Sequence, residues 1–303
     1  MTERILIFLA LGAAGFLFRR YRVIGNAGTR DMVALNMNVL LPALTFSIAA
    51  DRLTPAMAGL SKGFAGPLLG LPLTAAVIVA AGALLAWLTA PFTGLSRHSR
   101  RTYIFLLSFA NCTFLPIPLS YAMRGEEGVL FVNLYFLGYT LLFWTVGKWM
   151  VKGSASLRSL LNPNVVALVA GAAIGTSGIR LPEALLSVLK MVGSSVIPLG
   201  LIYSGAVLAE QKLAIGSDAR SLAFMSAVKL VVLPLIALAF LSRFRVPEPM
   251  ASQAILQAAM PCMAQSGIYV AHMGGDTSFA SKAAVVTTIL CVLTVPFFLG
   301  MHG

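Results

Sequence analysis

The sequence predicts an all-α membrane protein of ten transmembrane helices, built as two inverted five-helix repeats whose fourth and ninth helices are broken. Three observations carry that expectation. Of 303 residues, 58% are hydrophobic and only 11% are charged, with a mean hydropathy of +0.89. A water-soluble domain carries about 25% charged residues and could not hide so much apolar surface. The apolar residues also fall into runs near the roughly 20 residues that a helix needs to cross a bilayer. Finally, prolines recur at matching places in two similar stretches, 1–150 and 151–303, which together make one membrane domain over 1–303.

The expected spans follow in order. The first, 3–18, is short and is followed by the basic cluster Arg19, Arg20 and Arg22, with only Arg4 before it. That charge order is the reverse of a secretory signal, so the segment reads as a retained helix. The second, 31–50, carries Pro42 ahead of a run of small and apolar residues, and the seventh, 183–209, carries Pro198 in the same setting. The third, 65–90, and fifth, 128–150, are uninterrupted apolar runs. The fourth, 101–123, holds Pro116 and Pro118 near its centre, and the ninth, 250–273, holds Pro261; both end in glycine plus an acid. The sixth, 163–178, is short, the eighth, 219–241, contains Lys229, and the tenth is 279–299. Five helices per half is an odd number, so the second half enters the bilayer upside down, the inverted-repeat plan of many transporters.

Loop charge sets the orientation. With the N-terminus outside, inner loops hold Arg19, Arg20, Arg22, Arg30, Arg97, Arg100, Arg101, Lys148, Lys152, Arg158, Lys212, Arg220 and Lys282. Outer segments hold only Arg4, Arg52, Lys62, Arg124, Arg180, Arg243 and Arg245. The positive-inside rule then puts both termini on the non-cytoplasmic side of the plasma (inner) membrane. The net charge of +12 is spent on these loops; basic and aromatic residues do not interleave on any polar segment, so nucleic acid is not an expected partner.

The proline breaks suggest chemistry. Proline removes a backbone donor and disrupts the preceding turn, and in lipid the freed groups need partners or a water-lined cavity. The second half of each broken helix begins inside the membrane, and its N–H groups carry roughly half a positive charge there. Two such ends on one cavity would attract a carboxylate. Asn111 and Thr113 in helix four, and Gln257, Gln265 and Ser266 in helix nine, can add hydrogen bonds beside Pro116, Pro118 and Pro261. Lys229 is either a cation that faces the cavity and steadies the arrangement or a side chain that snorkels to the surface. Lys190 reads as snorkelling or interfacial, and His272 as a surface histidine.

Absences narrow the function. All ten acids lie at helix ends or in loops, so no mid-membrane carboxylate is available to carry a proton or anchor sodium. Cys112, Cys262 and Cys291 lie inside apolar runs and form neither a disulfide framework nor a metal motif, and no cofactor or metal is expected. No HExxH, paired aspartates or Asp-rich motif suggests an intramembrane enzyme.

Four segments carry a family resemblance: LNMNVLLPALTF (35–46), NCTFLPIPLSYAMRGEEG (111–128), NPNVVALVAGAAIG through LPEALLSVLKMVGSSVIPLGLIYSGAVLA (162–209), and AAMPCMAQSGIYVAHMGGD followed by SKAAVVTTILCVLTVPF (258–297). In order and spacing the chain resembles the auxin efflux carrier family, relatives of the PIN-type carriers and of the bile acid/sodium symporter-like superfamily. The resemblance implies helices four and nine crossing at their breaks at mid-membrane and a small mono- or dicarboxylate bound there. It also implies elevator-type motion of the crossing-helix domain against a scaffold of helices one, two, six and seven, which is the expected homodimer contact. Where the family reads Asn-Thr-Gly-Phe-x-Gly-x-Pro in helix four, this chain has Thr113 and Pro116 in place of the glycines; both restrict the close backbone approach that glycine permits. A sodium-coupled organic-anion symporter of the bile acid type is the alternative, and it would show a sodium requirement.

Overall fold

A computed structural model describes residues 2–58, 66–155, 160–210, 216–243 and 246–300. Lys62, Arg158, Lys212 and Arg245, counted above among the loop charges, lie outside the described residues. The described elements are helical. They are α1 (Thr2–Arg20), α2 (Asn26–Leu35), α3 (Leu41–Arg52), α4 (Pro55–Ala58), α5 (Pro67–Thr89), α6 (Arg97–Ser108), α7 (Pro116–Arg124), α8 (Glu126–Leu142) and α9 (Lys148–Lys152). There follow α10 (Pro163–Ser177), α11 (Glu183–Ser194), α12 (Val196–Glu210), α13 (Ala219–Ala227), α14 (Leu233–Arg243), α15 (Glu248–Ala258), α16 (Ser266–Met273) and α17 (Thr277–Gly300). Among the described residues, six helical runs are long and apolar enough to cross a bilayer: Asn26–Arg52, Pro67–Thr93, Glu126–Lys152, Glu183–Glu210, Ala219–Arg243 and Thr277–Gly300. The hydropathy pattern places these within a few residues because each run ends where charge or glycine resumes.

Three of those runs contain a π-helical turn: Asn36–Leu40 joins α2 to α3, Phe143–Gly147 joins α8 to α9, and Val228–Val232 joins α13 to α14. Such turns hold one residue too many for an α-helix and occur often at functional positions. Here the first opens on Asn36 and the third contains Lys229.

Contacts divide the chain into two interleaved units rather than at residue 150. The first comprises Met1–Pro72, Thr113–Leu137 and Arg158–Glu210. Within it α1 lies against α12 so closely that a methyl group on Gly15 would land on the Ile202 carbonyl, and one on Gly205 on the Gly12 carbonyl. Interfaces of small residues suit membrane helices, where close backbone approach replaces the hydrophobic drive available in water. A buried polar knot joins three helices. The Thr45 hydroxyl is 2.6 Å from Asn164 Oδ1 and 2.9 Å from Asn133 Oδ1, and Asn164 Nδ2 donates to Asn133 Oδ1 at 3.1 Å. At one end of the unit, Lys190 pairs with Asp51 at 2.7 Å and Glu126 at 3.0 Å, and Arg52 with Glu126 at 2.8 Å. Lys190 thus ends in an ion-pair cluster instead of reaching for the surface alone.

The second unit comprises Leu73–Cys112, Gly138–Leu157 and Gln211–Gly303. Its core is an aromatic cluster: the Phe143 ring lies 5.5 Å from Phe105, 5.4 Å from Phe109 and 5.2 Å from Tyr269, with Tyr139 5.5 Å from Phe109. Asp276 caps α17 by accepting from the Phe279 N–H at 3.0 Å, and its own N–H donates to Thr102 Oγ1 of α6 at 2.9 Å. Ser99 donates to its carboxylate at 2.6 Å. Burial raises this carboxyl, but those bonds, the Ser278 N–H and nearby His98 outweigh it and hold it below the ordinary value of 3.8.

Candidate functional site

The two interrupted helices break over equal stretches of chain. The fourth segment stops with α6 at Ser108 and restarts with α7 at Pro116; the ninth stops with α15 at Ala258 and restarts with α16 at Ser266. Their extended linkers pair within the second unit. Ala110 and Cys262 form an antiparallel bridge, and the Asn111 N–H donates to the Pro261 carbonyl at 2.8 Å.

Backbone outside regular structure must find partners when it is buried, and the described side chains supply them. The Tyr139 hydroxyl donates to the Ala110 carbonyl at 2.7 Å, and the Cys262 N–H donates to Thr287 Oγ1 at 3.0 Å. Gln257 Nε2 reaches the Cys112 carbonyl at 3.4 Å. Lys229, 0% exposed, donates its ammonium to the carbonyls of Leu106 at 2.7 Å and Leu107 at 3.0 Å. Those are last-turn carbonyls of α6, which an α-helix cannot satisfy itself and which favour a cation. Lys229 therefore does not snorkel; it steadies the break of the fourth segment. No carboxylate pairs with it among the described residues.

Two groups beside the break are left open. Gln257, 1% exposed, has an Oε1 with no hydrogen-bond partner, and Gln265, 8% exposed, has an Nε2 in the same state. Gln265 is the residue that precedes α16, and its backbone carbonyl takes the Ile268 and Tyr269 N–H groups at 2.9 and 3.1 Å. Ser266 is turned inward to its own chain, donating to the Met263 carbonyl at 2.6 Å.

The structure gathers Asn111, Gln257, Pro261, Gln265, Ser266 and Lys229 in the second unit and puts Thr113, Pro116 and Pro118 in the first. The prolines differ in role. Pro261 lies in the gap itself, whereas Pro116 and Pro118 occupy the first turn of α7, after the helix has already ended at Ser108. They start a helix instead of breaking one, as proline's fixed φ favours at that position. The tip of α7 also offers no spare donor over Pro116–Leu119. Two residues lack an N–H, and those of Ile117 and Leu119 bond to Thr113 and Leu115 carbonyls at 3.0 and 3.3 Å. At α16 the Ser266 N–H likewise bonds to the Met263 carbonyl at 3.0 Å and the Ile268 N–H to the Gln265 carbonyl at 2.9 Å, so what sets this tip apart is the open Nε2 of the Gln265 side chain. Tyr139 and Thr287, which hold the paired linkers, had no sequence signal: each stands beside another hydroxyl residue, Thr140 or Thr288, in a long apolar run, and nothing in the pattern singles one out. His272 is exposed, and the three cysteines are buried and in no disulfide among the described residues.

Comparison with known proteins gives a consistent result. The chain is 24% identical over 311 residues to a protein of Methanothermobacter thermautotrophicus named an uncharacterized transporter, covering 98% of this chain and 97% of that one. The family model described as membrane transport protein matches it over residues 1–155 and 147–299. The chain therefore belongs to this membrane transport family, of the auxin efflux carrier type, and is a multi-pass transporter rather than an enzyme.

Proposed function

We propose that the protein is a secondary transporter of a small organic anion, a mono- or dicarboxylate, held where the linkers of the fourth and ninth segments pair. The observation that carries this reading is the polarity of the second unit around those linkers. It has a buried ammonium with no carboxylate counterpart among the described residues, the start of α16, and an amide donor on Gln265 without a partner. An anion near a helix N-terminus gains about 0.3–1 kcal/mol, and an unsatisfied buried donor adds a reason to bind one. In this reading ten spans form two inverted repeats, both termini are outside the plasma membrane, and the breaks lie at mid-membrane. Transport proceeds by elevator-type alternating access. The grouping of α1, α2–α3, α10 and α11–α12 in one unit, which also holds α7 and most of α8, supports a scaffold built from spans one, two, six and seven; a homodimer through that scaffold is part of the same reading.

The test is thermal unfolding of the purified protein against small mono- and dicarboxylates, with and without sodium, followed by flux in proteoliposomes. A binding solute raises the unfolding temperature by mass action. Gln265→Leu is expected to weaken carboxylate binding about tenfold, the size of one lost hydrogen bond. Absence of any carboxylate response, or an unaltered response in this variant, overturns the reading. A response that requires sodium identifies the bile acid symporter-type alternative.

A further inference from the structure

The second unit contains a cavity away from the paired linkers. It lies between α5, α14 and α15 and encloses about 110 Å³, several times the roughly 10–15 Å³ that one water needs. Val77 and Ala81 line it from α5, Ile236 and Phe240 from α14, and Ala254 from α15. Among the described residues Thr74 is its one hydroxyl-bearing wall, and it turns no polar surface to the space. Helices α5 and α14 belong to runs long and apolar enough to cross a bilayer, so the medium around them is hydrocarbon. The cavity is reached from that side: Ile236 is 41% and Phe240 37% exposed, whereas Ala254 at its floor is 0% exposed. Water gains nothing in a space without polar partners, and hydrocarbon gains dispersion contact with every wall. The spacing along α14 adds a second clue. Ile236, Phe240 and Arg243 stand at i, i+4 and i+7, on one face of the helix. The apolar stripe that borders the cavity therefore ends on an exposed cation in the last turn. Among the described residues no carboxylate pairs with Arg243, and a guanidinium matches the geometry of a phosphate.

We propose that this cavity takes one acyl chain of a membrane phospholipid, with the lipid phosphate at Arg243. The chain packs on Ala254, three residues before Gln257, whose amide reaches the Cys112 carbonyl at 3.4 Å. Helix α15 ends at Ala258, where the ninth segment breaks. A lipid in this place braces the half-helix that leads into the paired linkers, so the bilayer itself supports the joint. The assignment does not depend on which solute is carried.

The experiment uses the full-length protein, stripped of lipid in detergent and titrated with dioleoyl phosphatidylglycerol. Native mass spectrometry counts the bound lipid, and thermal unfolding reads its effect. The wild type is expected to hold one phospholipid more tightly than the rest and to melt higher with it. Ala81→Phe, which fills the cavity with its own ring, is expected to weaken that binding about tenfold or more. Arg243→Gln is expected to weaken it about tenfold, the size of one charge-assisted hydrogen bond. The second variant alters an exposed side chain, so it decides the matter should the first not fold. Glycerol phosphate, which offers the phosphate without the chain, is expected to give no shift. A wild type that holds no phospholipid above the rest, or an unchanged affinity in either folded variant, overturns the proposal. A shift with glycerol phosphate equal to that with the lipid overturns the acyl-chain assignment. Loss of a dimer in Ala81→Phe with the lipid still held assigns the cavity to a second copy of the chain and overturns it too.

Discussion

The tips of α7 and α16 hold similar places in their segments and differ in sequence and in one open polar group. Both follow linkers of the same extent, and both begin a short helix after an interruption. The first is sealed: prolines remove two donors, and the remaining first-turn N–H groups close on Thr113 and Leu115. The second carries Gln265 with a donor left open. Pairing two broken helices thus does not require two equivalent binding ends.

The largest way to break this division is Lys229→Met. It leaves the buried Leu107 carbonyl without its donor, at about 1–3 kcal/mol, and the Leu106 carbonyl with only the Cys262 thiol at 3.8 Å. A melting temperature lowered by many degrees is expected even without solute, since the lysine braces the fold. Unchanged stability would show that α6 ends well without it.

The prolines sharpen the comparison at the next level. Pro261→Ala restores an N–H in the linker and relaxes the constraint on Met260, so proteoliposome flux is expected to fall at least tenfold with little change in melting temperature. Pro116→Ala and Pro118→Ala sit at positions where proline and alanine are both tolerated. They are expected to change flux less than threefold. Equal losses on the two sides would mean that both tips work alike.

The smallest effect concerns the tie between α6 and the start of α17, Ser99 and Thr102 against Asp276. The folded state holds this carboxyl below 3.8. Its contribution is therefore complete above the unfolded value and is lost as pH falls through the lower, folded one. Melting curves between pH 6 and 3 are expected to show a slightly shallower acid decline for Asp276→Asn than for the wild type. An identical decline would remove Asp276 from the acid response.

Span positions were legible because lipid forces apolar runs to a fixed length, and only charge or glycine ends them. The existence of two interruptions was legible from proline for the same reason. Their location in the fourth segment was not: Pro116 and Pro118 announced a break that had already happened at Ser108, since proline marks helix starts as readily as helix ends. Lys229 drew notice as a charge in an apolar run, but its partners lie more than a hundred residues away, on Leu106 and Leu107. No local pattern encodes such a meeting. Asn36 and Asn38 are two letters apart in one motif, and only burial separates the orphaned amide from the self-satisfied one.

The extra residue stored in the turn Val228–Val232 acts as an angular setting for everything that follows it. Removing one residue there would rewind α14 by about 100°. Leu235 and Ile236, now more than 40% exposed, would swing toward the packed side, and the buried Leu233 and Pro234 would swing away. A single deletion in this turn would therefore exchange the greasy and packed flanks of half a span, a larger injury than most substitutions along it could cause.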